Sequence, residues 1–76
     1  MREGTIVFDH RQQKFDIEFE PGDCYGGLCA GDNLEVLIDG VWKATRLEKS
    51  VDWYFVGLRG VDPFGSRVRT LQEGKR

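Results

Sequence analysis

The pair Asp39-Gly40 constrains this chain more than any other local feature. It joins two β-rich runs, Leu34 to Ile38 and Val41 to Glu48, and both residues tolerate the positive φ angles that a two-residue type I′ turn demands. With those residues at the turn, Ile38 faces Val41, Leu37 faces Trp42, Val36 faces Lys43, Glu35 faces Ala44 and Leu34 faces Thr45. One face of the hairpin then collects Leu34, Val36, Ile38, Val41, Thr45 and Leu47, which suits a core. The other carries Glu35, Leu37, Trp42, Ala44, Arg46 and Glu48. A one-residue bulge would reverse the faces of the second strand. A helix through Val41, Ala44, Leu47, Val51 and Tyr54 has a competing periodicity. No N-cap opens it and Asp-Gly interrupts its approach, so strands are expected.

The rest of the chain reads the same way. Thr5 to Phe8 and Lys14 to Phe19 alternate apolar with polar residues, placing Ile6 and Phe8, then Phe15, Ile17 and Phe19, on one side of an antiparallel hairpin turned at Asp9 to Gln13. Glu20 to Asn33 holds Pro21, Gly22, Gly26, Gly27 and Gly31 and predicts a long loop, with Tyr25 and Leu28 partly packed. Lys49-Ser50 is the next turn, and Val51 to Leu58, with Trp53, Tyr54, Phe55 and Val56, has the density of a central strand. Gly60, Pro63 and Gly65 mark a second loop before a closing strand over 66–71. At 76 residues the chain can build one core. The expected architecture is all-β, a small antiparallel barrel of five to six strands, forming a single domain over residues 1–76 with a short polar C-terminal tail.

Charge and composition narrow the function classes. Eleven Lys and Arg against thirteen Asp and Glu leave a net charge of -2, where a domain that lives on phosphate backbones carries a basic excess. Arg67, Arg69, Lys75 and Arg76 against Glu73 make a local basic strip in the tail. No apolar run approaches the roughly 20 residues of a membrane helix, and the start lacks a signal peptide's apolar stretch, so a cytoplasmic protein without membrane attachment is expected. Its two cysteines should then be free thiols.

The run from Gly31 to Glu48 followed by Asp52-Trp-Tyr-Phe-Val-Gly57 resembles SH3-like barrels of the Tudor and chromatin-reader type, which also order glycine, apolar strand, turn, tryptophan, strand and aromatic strand. That resemblance implies an SH3-like fold; no complete aromatic cage can be assembled here. The whole chain also resembles a small uncharacterised family of Gram-positive bacteria, often encoded near mobile elements. Cys24 to Gly31, Asp39 to Trp42, Thr45 to Glu48 and Asp52 to Gly57 carry the likeness, which implies no known activity.

Catalytic and metal motifs are weak. Cys24 and Cys29 with His10 give at most three good ligands where a structural zinc site takes four, and the Gly26-Gly27 pair lacks the further glycines and the helix of a nucleotide loop. His10 has no nucleophile to serve, while Glu18, Glu20 and Asp62 read as solubilising carboxylates. No cofactor and no enzymatic activity are expected. The candidate binding residues are Trp42, Arg46 and Glu48 on the outer hairpin face, joined by Tyr25 from the loop and Trp53 from the next strand, since exposed Trp, Tyr and Arg are common binding anchors. The bland alternative pairs Arg46 with Glu48 or Glu35 and uses Trp42 to cover an open barrel end. The expected function is a noncatalytic module that binds a protein or peptide partner. The alternative is a nucleic-acid-associated accessory protein of a mobile element, using Arg46, Arg67 and Arg69. Homodimerisation through the edge of the Trp53 to Val56 run is a further possibility.

Overall fold

The computed structural model describes residues 1–71. Within them the chain forms seven strands and no helix: β1 (Arg2–Asp9), β2 (Lys14–Glu20), β3 (Asp23–Cys24), β4 (Asn33–Ile38), β5 (Val41–Lys49), β6 (Trp53–Phe55) and β7 (Arg67–Thr70). All pair antiparallel in one sheet of order β3-β2-β1-β7-β4-β5-β6. The fold is the small antiparallel all-β domain that the alternating pattern predicts. Among the described residues, no helix is long and apolar enough to cross a membrane.

The hairpin β4–β5 has the expected register, from Ile38↔Val41 to Leu34↔Thr45 and on to Asn33↔Arg46. Its turn residues Asp39 and Gly40 have φ of 50° and 79°, the positive angles of a type I′ turn. A Cβ at Gly40 would meet nothing within 4 Å, so the cost of Gly40→Ala is backbone strain alone. We expect about 1 kcal/mol of lost stability in urea unfolding, with an unchanged m-value. A neutral result would mean that the turn relaxes to another type.

The hairpin β1–β2 pairs Phe8 with Phe15 and Ile6 with Ile17. Its turn is closed by the Asp9 carboxylate, which accepts from the Arg11 and Gln12 amides. Strand β7 lies between β1 and β4, where Val68 meets Gly4 on one side and Val36 on the other. The closing strand thus welds the N-terminal hairpin to the central one. Ile6, Ile17, Leu34, Val36, Leu47, Phe55 and Val68 form the core together with Tyr25 and Leu28.

Four expectations need correction. The segment expected as a central strand yields only the three residues of β6, at the end of the sheet. A turn closed by Ser50 N–H to Asp52 C=O precedes it, and the chain bends away at Gly57, with Leu58 N–H on Phe55 C=O. Its density of aromatic residues reflects core contact by Phe55 and groove lining by Trp53. Val41, assigned to the core, is 56% exposed because the hairpin tip extends past the core that Leu34 and Val36 fill. The loop over 20–33 contains β3 and is far more ordered by hydrogen bonds than its glycines imply. Tyr25 and Leu28 amides donate to Ile17 and Phe15 carbonyls, then Gly31 N–H donates to Leu47 C=O and Leu47 N–H to Asp32 C=O. This segment therefore runs from the edge of β2 to β5 and closes the open side of the sheet. Finally, the basic strip does not stand free. Arg67 and Arg69 face Glu3 and Glu35, and Glu73, Lys75 and Arg76 lie outside the described residues.

Candidate functional site

The two ends of the curled sheet approach one another where Phe15, at the start of β2, meets Trp53 of β6, their rings 5.9 Å apart and nearly perpendicular. Edge-to-face contact is the favoured arrangement of two aromatic quadrupoles. It continues a ladder in which Phe15 packs on Phe8 at 5.5 Å and Phe8 on His10 at 5.0 Å. Beyond Trp53 opens a groove of about 940 Å³, floored by Phe15, Trp53, Leu58, Val61 and Pro63 and rimmed by charged residues. Leu58 and Val61 also pack against the core, so the far wall is anchored.

That wall is shaped by its own hydrogen bonds. Asp62 accepts from the Phe64 amide, and its carbonyl accepts from the Ser66 hydroxyl. Ser66 N–H reaches Pro63 C=O, and Gly65 N–H reaches Ile6 C=O, which ties the loop to β1. On the rim stand Asp52, Arg59 and Asp62, and the Lys49 ammonium lies 5.5 Å from the centre of the Trp53 ring. The groove is an apolar trough with mixed charge at its lip.

The residues expected to form one binding face are not assembled. Trp42 and Arg46 share the outer face of β5, as the register requires, but each is engaged within the sheet. The Arg69 guanidinium covers the Trp42 ring at 4.4 Å and is held by Glu35 at 2.6 Å, while Arg46 pairs with Glu48 at 2.6 Å. Trp42 is half-buried under that arginine. Tyr25 is 3% exposed and belongs to the core, which corrects its expected place beside Trp42: hydrogen bonding of its segment to β2 turns the side chain inward. Trp53 sits in the groove with Phe15. Phe15, Leu58, Val61 and Pro63 escape a sequence reading because Phe15 has the same alternation as core residues Ile17 and Phe19, and the others lie in a loop. Cys24 and Cys29 are not joined in a disulfide, and no three His, Cys, Asp or Glu among the described residues cluster to hold a metal ion.

Fold and site together define a small all-β domain with an aromatic-floored groove at the meeting of its sheet ends. The chain belongs to the family described as a domain of unknown function (DUF5348), whose model matches residues 4–70. It is similar to a protein from Ruminococcus gnavus of known crystal structure, with 40% identity over 91% of this chain and all of that one, and a TM-score of 0.83. No curated protein matches it. The likeness to an uncharacterised bacterial family is thereby borne out.

Proposed function

We propose that the domain is a noncatalytic interaction module that holds an extended segment of a protein partner in the groove between Phe15, β6 and the loop over 57–63. The observation that carries this reading is the open apolar trough with Trp53 and Phe15 held edge-to-face at its floor. Pockets of this size, apolar with a few polar groups at the lip, are the usual form of a ligand site. The finer likeness to SH3-like barrels belongs to the same reading, since such barrels take extended segments on aromatic-lined grooves. The binding role expected of Trp42, Arg46 and Glu48 passes to the groove, because those side chains already satisfy one another or their neighbours.

The nucleic-acid alternative has less support. Arg46, Arg67 and Arg69, which it would place on phosphates, each face a carboxylate at 2.6 to 3.4 Å, and the net charge is -2. Phosphate contacts would make affinity fall steeply with salt, whereas an apolar groove is less sensitive.

The test is selection of a displayed library of random dodecapeptides on the wild-type domain, with affinities of the enriched peptides measured on wild type, Trp53→Ala and Trp42→Ala after circular dichroism shows that all three fold. We expect Trp53→Ala to weaken binding about thirtyfold, the loss typical of a central aromatic anchor, and Trp42→Ala to change it little. Failure to enrich any peptide, or equal binding by Trp53→Ala, would overturn the groove as the site.

A further inference from the structure

Resting on the groove reading, we propose that the partner segment docks as an added β-strand along the free edge of β6, with an apolar residue opposite Trp53 and a basic residue beside it opposite Asp52. The two ends of the sheet are treated differently. At the β2 end, β3 and the amides of Tyr25 and Leu28 pair with the strand and cover its edge. At the other end β6 is, among the described residues, the last strand, paired only with β5. An uncovered edge is a template for another extended chain.

The groove runs along that edge. Asp52, Trp53, Tyr54 and Phe55 line it in unbroken succession. Side chains of a strand alternate between faces, so four consecutive residues border one trough only where the trough follows the backbone. Hydrogen-bond phase then says which groups are offered. Val56 N–H donates to Arg46 C=O, and Glu48 stands opposite Tyr54, so the polar groups of Tyr54 and Val56 turn toward β5 and those of Trp53 turn away from it. The Phe55 carbonyl is already taken by Leu58 N–H. Trp53 is left offering both an N–H and a C=O to an incoming strand.

Register and charge set the partner's chemistry. A ligand residue opposite Trp53 places its side chain on the floor made by Phe15, Leu58 and Val61, which calls for an apolar group. Its neighbour points to the other face, beside Asp52. That carboxylate is exposed and has no ion-pair partner among the described residues, whereas Arg2, Arg46, Arg67 and Arg69 of the sheet all have one. Asp62 adds a second carboxylate to the groove lining beside Arg59, and the Lys49 ammonium sits over the Trp53 ring, 5.5 Å from its centre. A lysine or arginine next to the apolar residue gives the Asp52 carboxylate an ion-pair partner.

The same dodecapeptide library, selected in parallel on wild type and on Asp52→Lys, reads the charge. Peptides that depend on Trp53 should carry Lys or Arg adjacent to an apolar residue on wild type, and Asp or Glu there on Asp52→Lys. The best wild-type peptide should bind Asp52→Lys about fivefold more weakly. A scan of that peptide by backbone N-methylation reads the edge: methylating the amide that meets Trp53 C=O should cost about tenfold, the equivalent of one hydrogen bond. If Trp53-dependent peptides show no charge preference that Asp52→Lys reverses, or if every methylated peptide binds within about twofold of the parent, the added-strand proposal fails while the groove reading stands. If no peptide depends on Trp53, both fail. A concentration-dependent dimer in sedimentation that Trp53→Ala abolishes would replace the foreign segment by a second copy and overturn the proposal.

Discussion

Gly4→Val is expected to leave the chain unfolded at room temperature, and Gly4→Ala to cost about 3 kcal/mol in urea unfolding. Gly4 lies in β1, buried between β2 and β7. A Cβ built there would stand 2.6 Å from Ile17 Cγ2, 2.7 Å from the Glu18 carbonyl oxygen and 3.0 Å from Phe19 Cδ1. One of these is backbone, within the stretch of β2 that pairs with β1, so it moves only if the hairpin shifts. Phe19 is itself pinned, since the Arg2 guanidinium stacks on its ring at 4.1 Å and is tied to Asp23. A domain of this length has about 4 to 11 kcal/mol to lose, so the alanine variant should fold with a melting temperature lowered by some 12 to 24 °C. Loss of less than about 1 kcal/mol in Gly4→Ala would show that β1 and β2 are not packed this closely.

Asp16→Ala is expected to cost a similar amount, about 3 kcal/mol, and to detach the segment that closes the sheet. Asp16 is 8% exposed, and its Oδ1 accepts from three amides, those of Ile17 at 2.8 Å, Gly26 at 3.0 Å and Gly27 at 2.9 Å. The two glycines reach it because both have positive φ, 115° and 103°, which turns successive N–H groups toward one oxygen. Alanine would leave those buried donors without a partner, whereas Asn, which keeps a carbonyl oxygen, should lose about half as much. Hydrogen exchange distinguishes a local from a global effect. Amides of residues 25–31 should lose protection in Asp16→Ala at conditions where Ile6 and Val68 keep theirs. If those loop amides stay protected, burial of Tyr25 and Leu28 holds the segment and the carboxylate contributes little.

Both residues show where sequence reading reached its limit. Gly4 sits in an alternating strand where it looks like a gap in the pattern, and only the approach of β2 makes it obligatory. Asp16 reads as one more polar residue of a half-exposed strand, although its alternation partner faces are as expected. A later loop, ten residues along the chain, folds over it and converts a solvent-facing position into a buried one. In the sequence the Gly26-Gly27 pair marks part of a long loop, and nothing local shows it as a clamp for that carboxylate.

The candidate site divides in the same way. Trp53 stands out in the sequence as one of only two tryptophans. Its partner Phe15 does not, because the contact joins strands that are neither sequential nor paired. Trp42 and Arg46 lie on the face the register places them on, yet their neighbours, Arg69 across the sheet for one and Glu48 two residues along β5 for the other, turn an apparent binding face into a set of internal pairs.

What the sequence determined by itself is local and periodic. Asp39-Gly40 sets a turn, the turn sets a register, and alternation sorts Leu34, Val36 and Leu47 from Glu35, Ala44 and Arg46, because each step depends on φ preferences and a two-residue repeat within a few residues of chain. Only the tertiary structure decided that β7 joins β1 to β4, that the glycine-rich segment closes the sheet rather than hanging from it, and that β6 is an edge with a groove beside it. Those outcomes depend on which distant surfaces meet, a competition among long-range pairings in which no single stretch of the chain holds both partners.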